Sequence, residues 1–238
     1  MRKQQIPAFR FAKIALICFL NLHVLQAQSD LDHLGTWNIL NVRLKLTQRW
    51  SLFAEPQLRS LRFYDHFHYY EIKGGVQFNL NPNFSFLAGF GDYHTYQEGG
   101  NFVEPQLNDE FRSWLQITMS QQLHRFKFEH RYRAEQRWPS SGYRNRFRYR
   151  LNAVFALGDK KLTPGDWYLT ASDEIFFTDR APYFERNRFF MGAGYLVSDR
   201  LTLQACWMKQ FDYRINDETG RNFLQISVLT EFSVKRDL

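Results

Sequence analysis

Apolar residues recur at every second position along most of the chain, and this period of two constrains the fold more than any other feature. Phe126, Phe128, His130, Tyr132 and Ala134 alternate with Lys127, Glu129, Arg131, Arg133 and Glu135. Successive side chains of a β-strand point to opposite faces, so the alternation predicts a strand with one apolar and one polar face. The pattern recurs from Leu40 to Phe232 without a 3.6-residue helical stripe. The chain is therefore predicted to be all-β.

Short segments rich in Gly, Pro, Asn, Asp and Ser separate the strands, among them Asn79–Asn83, Pro139–Gly142 and Asp179–Pro182. Eleven strands can be traced in this way. Because single-chain bacterial barrels have an even number of strands, we expect about twelve, with the stretch near Leu31 to Trp37 adding one. Ten is the alternative count. No linker or repeat divides the chain, so one barrel domain is predicted.

The first residues differ from the rest. Basic residues precede an apolar run from Ile14 to Leu25, and Ala27 is a small residue suited to signal-peptidase cleavage, the order typical of a secretory signal peptide. We predict a signal peptide over residues 1–27 and a barrel over residues 28–238. The leader holds four basic residues and no acid, so the net charge of +7 falls to +3 when it is removed. That charge does not favour nucleic-acid binding.

The strands indicate a transmembrane, antiparallel up-and-down β-barrel in the bacterial outer membrane. They are long for a globular protein, and aromatic residues cluster near strand ends, as in the girdles of membrane barrels. These residues are Trp50, Tyr69, Phe84, Tyr93, Tyr96, Trp138, Tyr143, Trp167, Tyr183, Tyr195, Tyr213 and Phe232. The alternative is a soluble periplasmic, lipocalin-like binding barrel, which would bury its apolar face instead.

The polar face carries many charges. A hairpin centred on Pro139–Gly142 would set Glu135 opposite Arg146, Arg133 opposite Arg148 and Arg131 opposite Arg150. Similar arithmetic sets Glu174 opposite Arg188 and Arg43 opposite Glu55. Glu71, Glu110 and Glu231 are candidate acids to offset the like-charged arginine pairs. The predicted lumen charge network is Arg43, Glu55, Glu129, Arg131, Arg133, Glu135, Arg137, Arg146, Arg148, Arg150, Glu174 and Arg188.

Two interpretations of this network remain open. A salt-bridged lumen would hold a narrow barrel rigid, whereas a ring of arginines would select small anionic solutes in a narrow pore. A third possibility is a lipid hydrolase or acyltransferase using His94 or His130, but no serine is suitably spaced from either residue. The histidines also lack the spacing of a metal site. We therefore expect no catalysis, no metal and no cofactor.

Several segments resemble the domain-of-unknown-function family numbered 2490. They are His130–Trp138 (HRYRAEQRW), Arg146–Leu151 (RFRYRL), Asn187–Tyr195 (NRFFMGAGY) and Leu52–Glu55 (LFAE), together with Trp37. The resemblance covers nearly the whole mature chain. It implies an outer-membrane barrel of Gram-negative bacteria with no established activity, substrate or cofactor. The expected partners are outer-membrane lipid and, during biogenesis, the barrel-insertion machinery.

Overall fold

The computed structural model describes residues 33–158, 161–213 and 219–234, so the predicted leader over residues 1–27 lies outside them. The strands are β1 (Leu34–Lys45), β2 (Trp50–Arg62), β3 (Asp65–Asn81), β4 (Phe84–Gln97), β5 (Val103–Leu123), β6 (Phe126–Pro139), β7 (Arg144–Ala156), β8 (Trp167–Thr178), β9 (Phe184–Ser198), β10 (Leu201–Asp212) and β11 (Thr219–Ser233). The all-β prediction is confirmed. In the described part of the chain, no helix has the length and apolarity needed to cross a membrane.

The strands form a closed barrel in which each strand pairs with its neighbours in the chain. Every consecutive pair is antiparallel, and β1 closes the barrel against β11 in parallel orientation over twelve residue pairs. Eleven described strands can close because the first and last strands of an odd meander run in the same direction. This parallel seam removes the need for an even count. The stretch predicted to add a strand is instead the start of β1, at Leu34.

The connections define two ends of the barrel. We call the end holding residues 63–64, 98–102, 140–143 and 179–183 the loop end, and the end holding residues 46–49, 82–83, 124–125, 157–166 and 199–200 the turn end. The connections 98–102, 140–143 and 179–183 at the loop end have four or five residues, whereas most of those at the turn end have two, with 46–49 and the connection after β7 as exceptions. Gly142, with φ of 107°, allows the tight return after β6, where its N–H donates to the carbonyl of Pro139 (3.0 Å).

The register agrees with most of the predicted pairs and corrects one. Arg43 lies opposite Phe53, not Glu55. The hairpin is centred one residue earlier than predicted, because the N–H groups of Leu46 and Thr47 both donate to the carbonyl of Trp50 (2.9 and 3.1 Å). Asn41 takes the position near Glu55 instead, and its side-chain amide donates to the carboxylate (2.7 Å).

The apolar face of the strands points outward, and the polar face points into the lumen. Side chains such as Leu115, Ile72 and Phe90 are 69%, 60% and 58% exposed on the outside. Two of the predicted girdle residues are exceptions, because Tyr69 and Tyr93 are buried, at 8% and 2% exposure. Both side chains line the lumen. Tyr69 lies on the same strand face as Glu71, and Tyr93 on the same strand face as Gly91.

Glycines in the wall allow close approach between strands. At Gly192 a Cβ atom would lie 2.1 Å from the carbonyl oxygen of Ala205 and 2.5 Å from the Cα of Cys206. Both contacts are with backbone of the neighbouring strand β10, which cannot move without distorting the ladder.

We predict that Gly192→Ala destabilises the barrel by about 1–3 kcal/mol, as overpacking commonly does. The matched control is Gly220→Ala, where the nearest atom to the added Cβ is the Gln210 carbonyl oxygen at 3.9 Å. Urea unfolding followed by tryptophan fluorescence would measure both. Equal midpoints for the two variants would contradict the close packing at Gly192.

Candidate functional site in the barrel lumen

The centre of the candidate site is the hairpin of β6 and β7. Their register sets Glu135 opposite Arg146, Arg133 opposite Arg148 and Arg131 opposite Arg150, which confirms the three predicted pairs. The same-face alternation of both strands aims all six side chains into the lumen. The ladder therefore creates directly opposed arginine pairs among these six side chains, and Arg137 opposite Arg144 is a third in the same hairpin. Their repulsion has to be offset by nearby acids.

Glu135 is the first of these acids. Its carboxylate is fully enclosed and accepts from Arg146 Nη2 (2.6 Å) and Arg148 Nη1 (2.6 Å). Arg133 lies at 3.6 Å from the same group. One carboxylate thus offsets part of the repulsion between Arg133 and Arg148, and it accepts charge-assisted hydrogen bonds from Arg146 and Arg148.

Glu174, on β8, is the second acid. It accepts from Arg131 Nη2 at 2.5 Å and from Arg148 Nη2 at 2.8 Å. The register sets it opposite Arg188 as predicted, but that guanidinium turns away and donates through Nε to Gln210 (2.8 Å). Glu135 and Glu174, both within the predicted network, offset the arginine pairs.

The acids predicted for this role are used elsewhere. Glu110 binds Arg112 (Nε to Oε1, 2.8 Å) and Arg137. Glu71 binds Lys73 (2.7 Å). Glu231 binds Lys45 at 2.5 Å across the seam of β1 and β11. Glu110–Arg112 and Glu71–Lys73 join residues two apart on one face of a single strand, and the other two pairs join adjacent strands. These partners were not predicted, because a single hairpin register does not show which of several nearby bases an acid will bind.

Aromatic rings complete the network. Phe176 is fully buried, and the guanidinium carbons of Arg148, Arg188, Arg146 and Arg186 lie 4.5, 4.9, 5.3 and 5.9 Å from its ring centroid. A ring face attracts cations through its quadrupole, so Phe176 helps to hold four guanidinium groups that share few acids.

Several contacts cross the lumen between strands that are not neighbours. Arg188 of β9 lies 4.8 Å from the ring centroid of Trp37 in β1, a ring that Arg59 of the adjacent strand β2 also contacts, at 3.3 Å. Arg137 of β6 also binds Glu185 of β9 (3.3 Å). These contacts bridge the half of the lumen nearer the loop end. We call this layer the septum, formed by Trp37, Arg59, Glu71, Tyr93, Glu110, Arg112, Glu135, Arg137, Arg146, Phe176 and Arg188.

The charged side chains nearer the turn end are more exposed. Lys45 and Glu231 have 48% and 32% of their side chains exposed, against 3% for Arg146 and 0% for Glu135 in the septum. We call this open half the vestibule, lined by Arg43, Lys45, Gln77, Thr118, Lys127, Glu129, Asn152 and Glu231. The lumen as a whole encloses about 1940 Å³. Basic side chains outnumber acidic ones along its wall.

In the part of the chain that the structure describes, most residues of the predicted network form ion pairs in the lumen, but Arg43 does not. Glu129 binds Arg150 (3.0 Å) at the edge of the vestibule, and Glu55 binds Lys73 at 2.5 Å. Arg43 faces the lumen but has no ion-pair partner among the described residues. Glu71 and Glu110 were predicted as lumen acids but with other partners, whereas Lys73, Arg112 and Glu185 were missed, although the alternation of their strands already placed most of them on the polar face.

Two loops at the loop end are tied together. Arg180 Nη2 donates to the carbonyl of Tyr143 (2.8 Å), and the Asn145 side chain donates to Asp179 (2.7 Å). This side-chain hydrogen bond lowers the pKa of the Asp179 carboxyl. Arg180 also lines the lumen, so these hydrogen bonds hold a basic side chain at the loop end of the lumen.

The histidines considered for catalysis lie on the outer face. His94 contacts Asp92 (3.0 Å) and Asp109 (3.7 Å), and ligand atoms of these three residues lie within 4.8 Å of one another. The distances would suit a cation, but both carboxylates are exposed, and such groups are common without one. His130 pairs with the hydroxyl of Tyr149 (2.9 Å). Among the described residues, no serine hydroxyl hydrogen-bonds to either histidine.

The family model described as "Protein of unknown function (DUF2490)" matches residues 34–221. The chain belongs to this family. The match runs from the first residue of β1 into β11, so DUF2490 covers nearly the complete barrel. No curated protein and no solved structure matches the chain.

We predict that Glu135→Gln strongly destabilises the barrel, because it leaves the buried Arg146 without its closest acid and Arg148 with Glu174 alone. Breaking a buried pair in this way costs roughly 3–5 kcal/mol. The matched control is Glu98→Gln, which breaks an ion pair with Arg221 whose acid is 58% exposed, and exposed pairs contribute about 0–1 kcal/mol. Urea midpoints measure both, and an unchanged midpoint in Glu135→Gln would exclude a stabilising role for the septum.

Proposed function

We propose that this DUF2490 protein is an outer-membrane β-barrel whose septum keeps the lumen closed, so that its role is structural rather than catalytic. The observation that carries this proposal is the inverted distribution of polarity. Glu110 and Glu135 are buried at 0% and 2% exposure, whereas Leu115 and Phe90 are 69% and 58% exposed. A soluble, lipocalin-like barrel would have the opposite arrangement.

The outer belt supports insertion into lipid. Soluble monomers rarely expose contiguous apolar patches larger than a few hundred Å², yet apolar side chains on all parts of the barrel wall are exposed. They include Leu40, Ile72, Val76, Phe90, Leu115, Phe147, Leu169, Met191, Leu203 and Trp207. Hydrocarbon would solvate this belt without cost, which favours outer-membrane lipid as the principal partner.

Aromatic pairs at both ends support the same location. Trp50–Phe78 and Trp167–Tyr195 lie at the turn end, with ring centroids 4.8 and 4.9 Å apart. Trp138–Tyr143 lies at the loop end, at 5.5 Å. Amphipathic rings prefer the lipid–water interface, so the two sets would mark its two boundaries. A protein of this kind would need a signal peptide for export and the insertion machinery for assembly.

The contacts inside the lumen favour a closed barrel over a pore that transports solutes. Contacts between strands that are not neighbours cross the loop half of the lumen, and its acids are paired with bases, as expected for a rigid network. A narrow, weakly anion-selective pore is the second candidate, favoured by the excess of basic side chains along the wall. A lipid-modifying enzyme is not favoured, since the outer histidines have Asp, Gln and Tyr partners.

We predict that the full-length protein fractionates with the outer membrane and migrates differently on gels before and after boiling in detergent, because a closed hydrogen-bonded barrel resists detergent until heated. Sodium dodecyl sulfate electrophoresis of membrane extracts would show the shift. Recovery as a soluble periplasmic protein without a shift would overturn the membrane proposal.

We also predict that the wild-type barrel shows little conductance in planar bilayers and that Trp37→Ala opens it. Removing this indole eliminates the ring that Arg188 contacts across the lumen and that Arg59 contacts from the adjacent strand. The matched control is Trp207→Ala, whose side chain is 41% exposed on the outer face. Wild-type channels as large as those of Trp37→Ala would favour the anion-selective pore instead.

A further inference from the structure

One pair of arginines lies where the septum meets the vestibule. Arg131 of β6 and Arg150 of β7 are directly opposed in the register, and both line the cavity. Arg150 lies at the midpoint of its strand, and its side chain is 22% exposed. Solutes that enter the vestibule can therefore reach this pair before they meet the closed septum.

Fewer hydrogen-bond donors of this pair have partners in the chain than those of the neighbouring pair, Arg133 and Arg148. Arg148 uses three nitrogen atoms, bonding to Glu135 and Glu174, and Arg133 donates twice to Gln116 (2.9 and 2.6 Å). By contrast, Arg131 donates through Nη2 to Glu174 at 2.5 Å, and Arg150 through Nη2 to Glu129 at 3.0 Å. Each guanidinium has five N–H donors.

The remaining donors include two that are shielded. The Nε atoms of Arg131 and Arg150 are both buried, and neither has a hydrogen-bond partner in the described part of the chain. Buried donors are almost always paired in proteins. Two unpartnered donors on directly opposed guanidinium groups thus point to an acceptor that the chain does not supply.

We propose that Arg131 and Arg150 form a binding site for a small dianionic oxyanion of the phosphate class. Guanidinium groups bind phosphate bidentately in a fork geometry, and a dianion would match two adjacent cations. This inference deepens the proposed function by naming a ligand class for the lumen. It rests on the basic, closed lumen but not on the membrane location.

Neighbouring polar groups suit the same ligand. Thr118 is opposite Arg131, and its hydroxyl oxygen accepts from Gln116 (3.1 Å), which leaves its O–H available as a donor. The carbonyl of the Asn152 side chain accepts from Thr170 (3.1 Å), so the amide end remains to donate. Glu129 and Glu174 are the acids nearest the pair, and each is bound by one of the two arginines.

The test is calorimetric titration of inorganic phosphate into the full-length protein in detergent, with ionic strength held constant by sodium chloride. We expect saturable binding at one site. Arg150→Lys keeps the charge but removes the fork, so affinity should fall by about tenfold or more, as for loss of a bidentate charged contact. Lys127→Gln is the matched control, since it removes a vestibule cation without changing either guanidinium.

The titration results distinguish a specific phosphate site from diffuse electrostatic attraction. Phosphate affinity of Lys127→Gln within about twofold of wild type, together with the loss in Arg150→Lys, supports the site. Equal losses in both variants, or none in Arg150→Lys, would show diffuse electrostatic attraction and overturn it, as would the absence of wild-type binding. Arg131→Lys should reproduce the Arg150→Lys result. Each variant is first checked for the boiling-dependent gel shift, so failure of the anion site is distinguishable from failure of the membrane barrel.

Discussion

Pairing of charge inside the lumen is the interaction on which the rest of the barrel depends. With apolar side chains outside, the polar face of every strand has to be accommodated within the lumen, where acids such as Glu110 and Glu135 are buried. Glu135 and Glu174 make this possible, because each carboxylate binds two or three guanidinium groups. Arginine suits this environment since its planar fork bonds several acceptors at once. Removing one acid would strand several cations together, which makes the network cooperative.

Closure of the backbone ladder provides the frame for this network. The parallel pairing of β1 with β11 leaves no free strand edge, and an exposed edge is a site for aggregation. The seam is also bridged by side chains, since Lys45 of β1 binds Glu231 of β11. Glycines such as Gly192 permit the close strand contact that this wall requires.

The septum and the vestibule give the two halves of the lumen different chemistry. Near the loop end, aromatic rings and ion pairs cross the lumen, and Phe176 contacts four guanidinium groups where acids are few. Near the turn end, cations such as Lys127 remain exposed to the cavity. Arg131 and Arg150 lie between these halves, with donors that the chain leaves unused.

The sequence by itself determined the strands, the facing of their side chains and the local register, because a period of two and a turn centre define a hairpin without any distant contact. The pairs of β6 and β7 follow directly from the position of Pro139–Gly142. Arg43 was misplaced because the first hairpin is centred one residue earlier than its composition suggested. Only the tertiary structure decided how the barrel closes and which residues meet across the lumen. The contact between Arg188 and Trp37 depends on strand tilt and barrel width, which no local pattern contains.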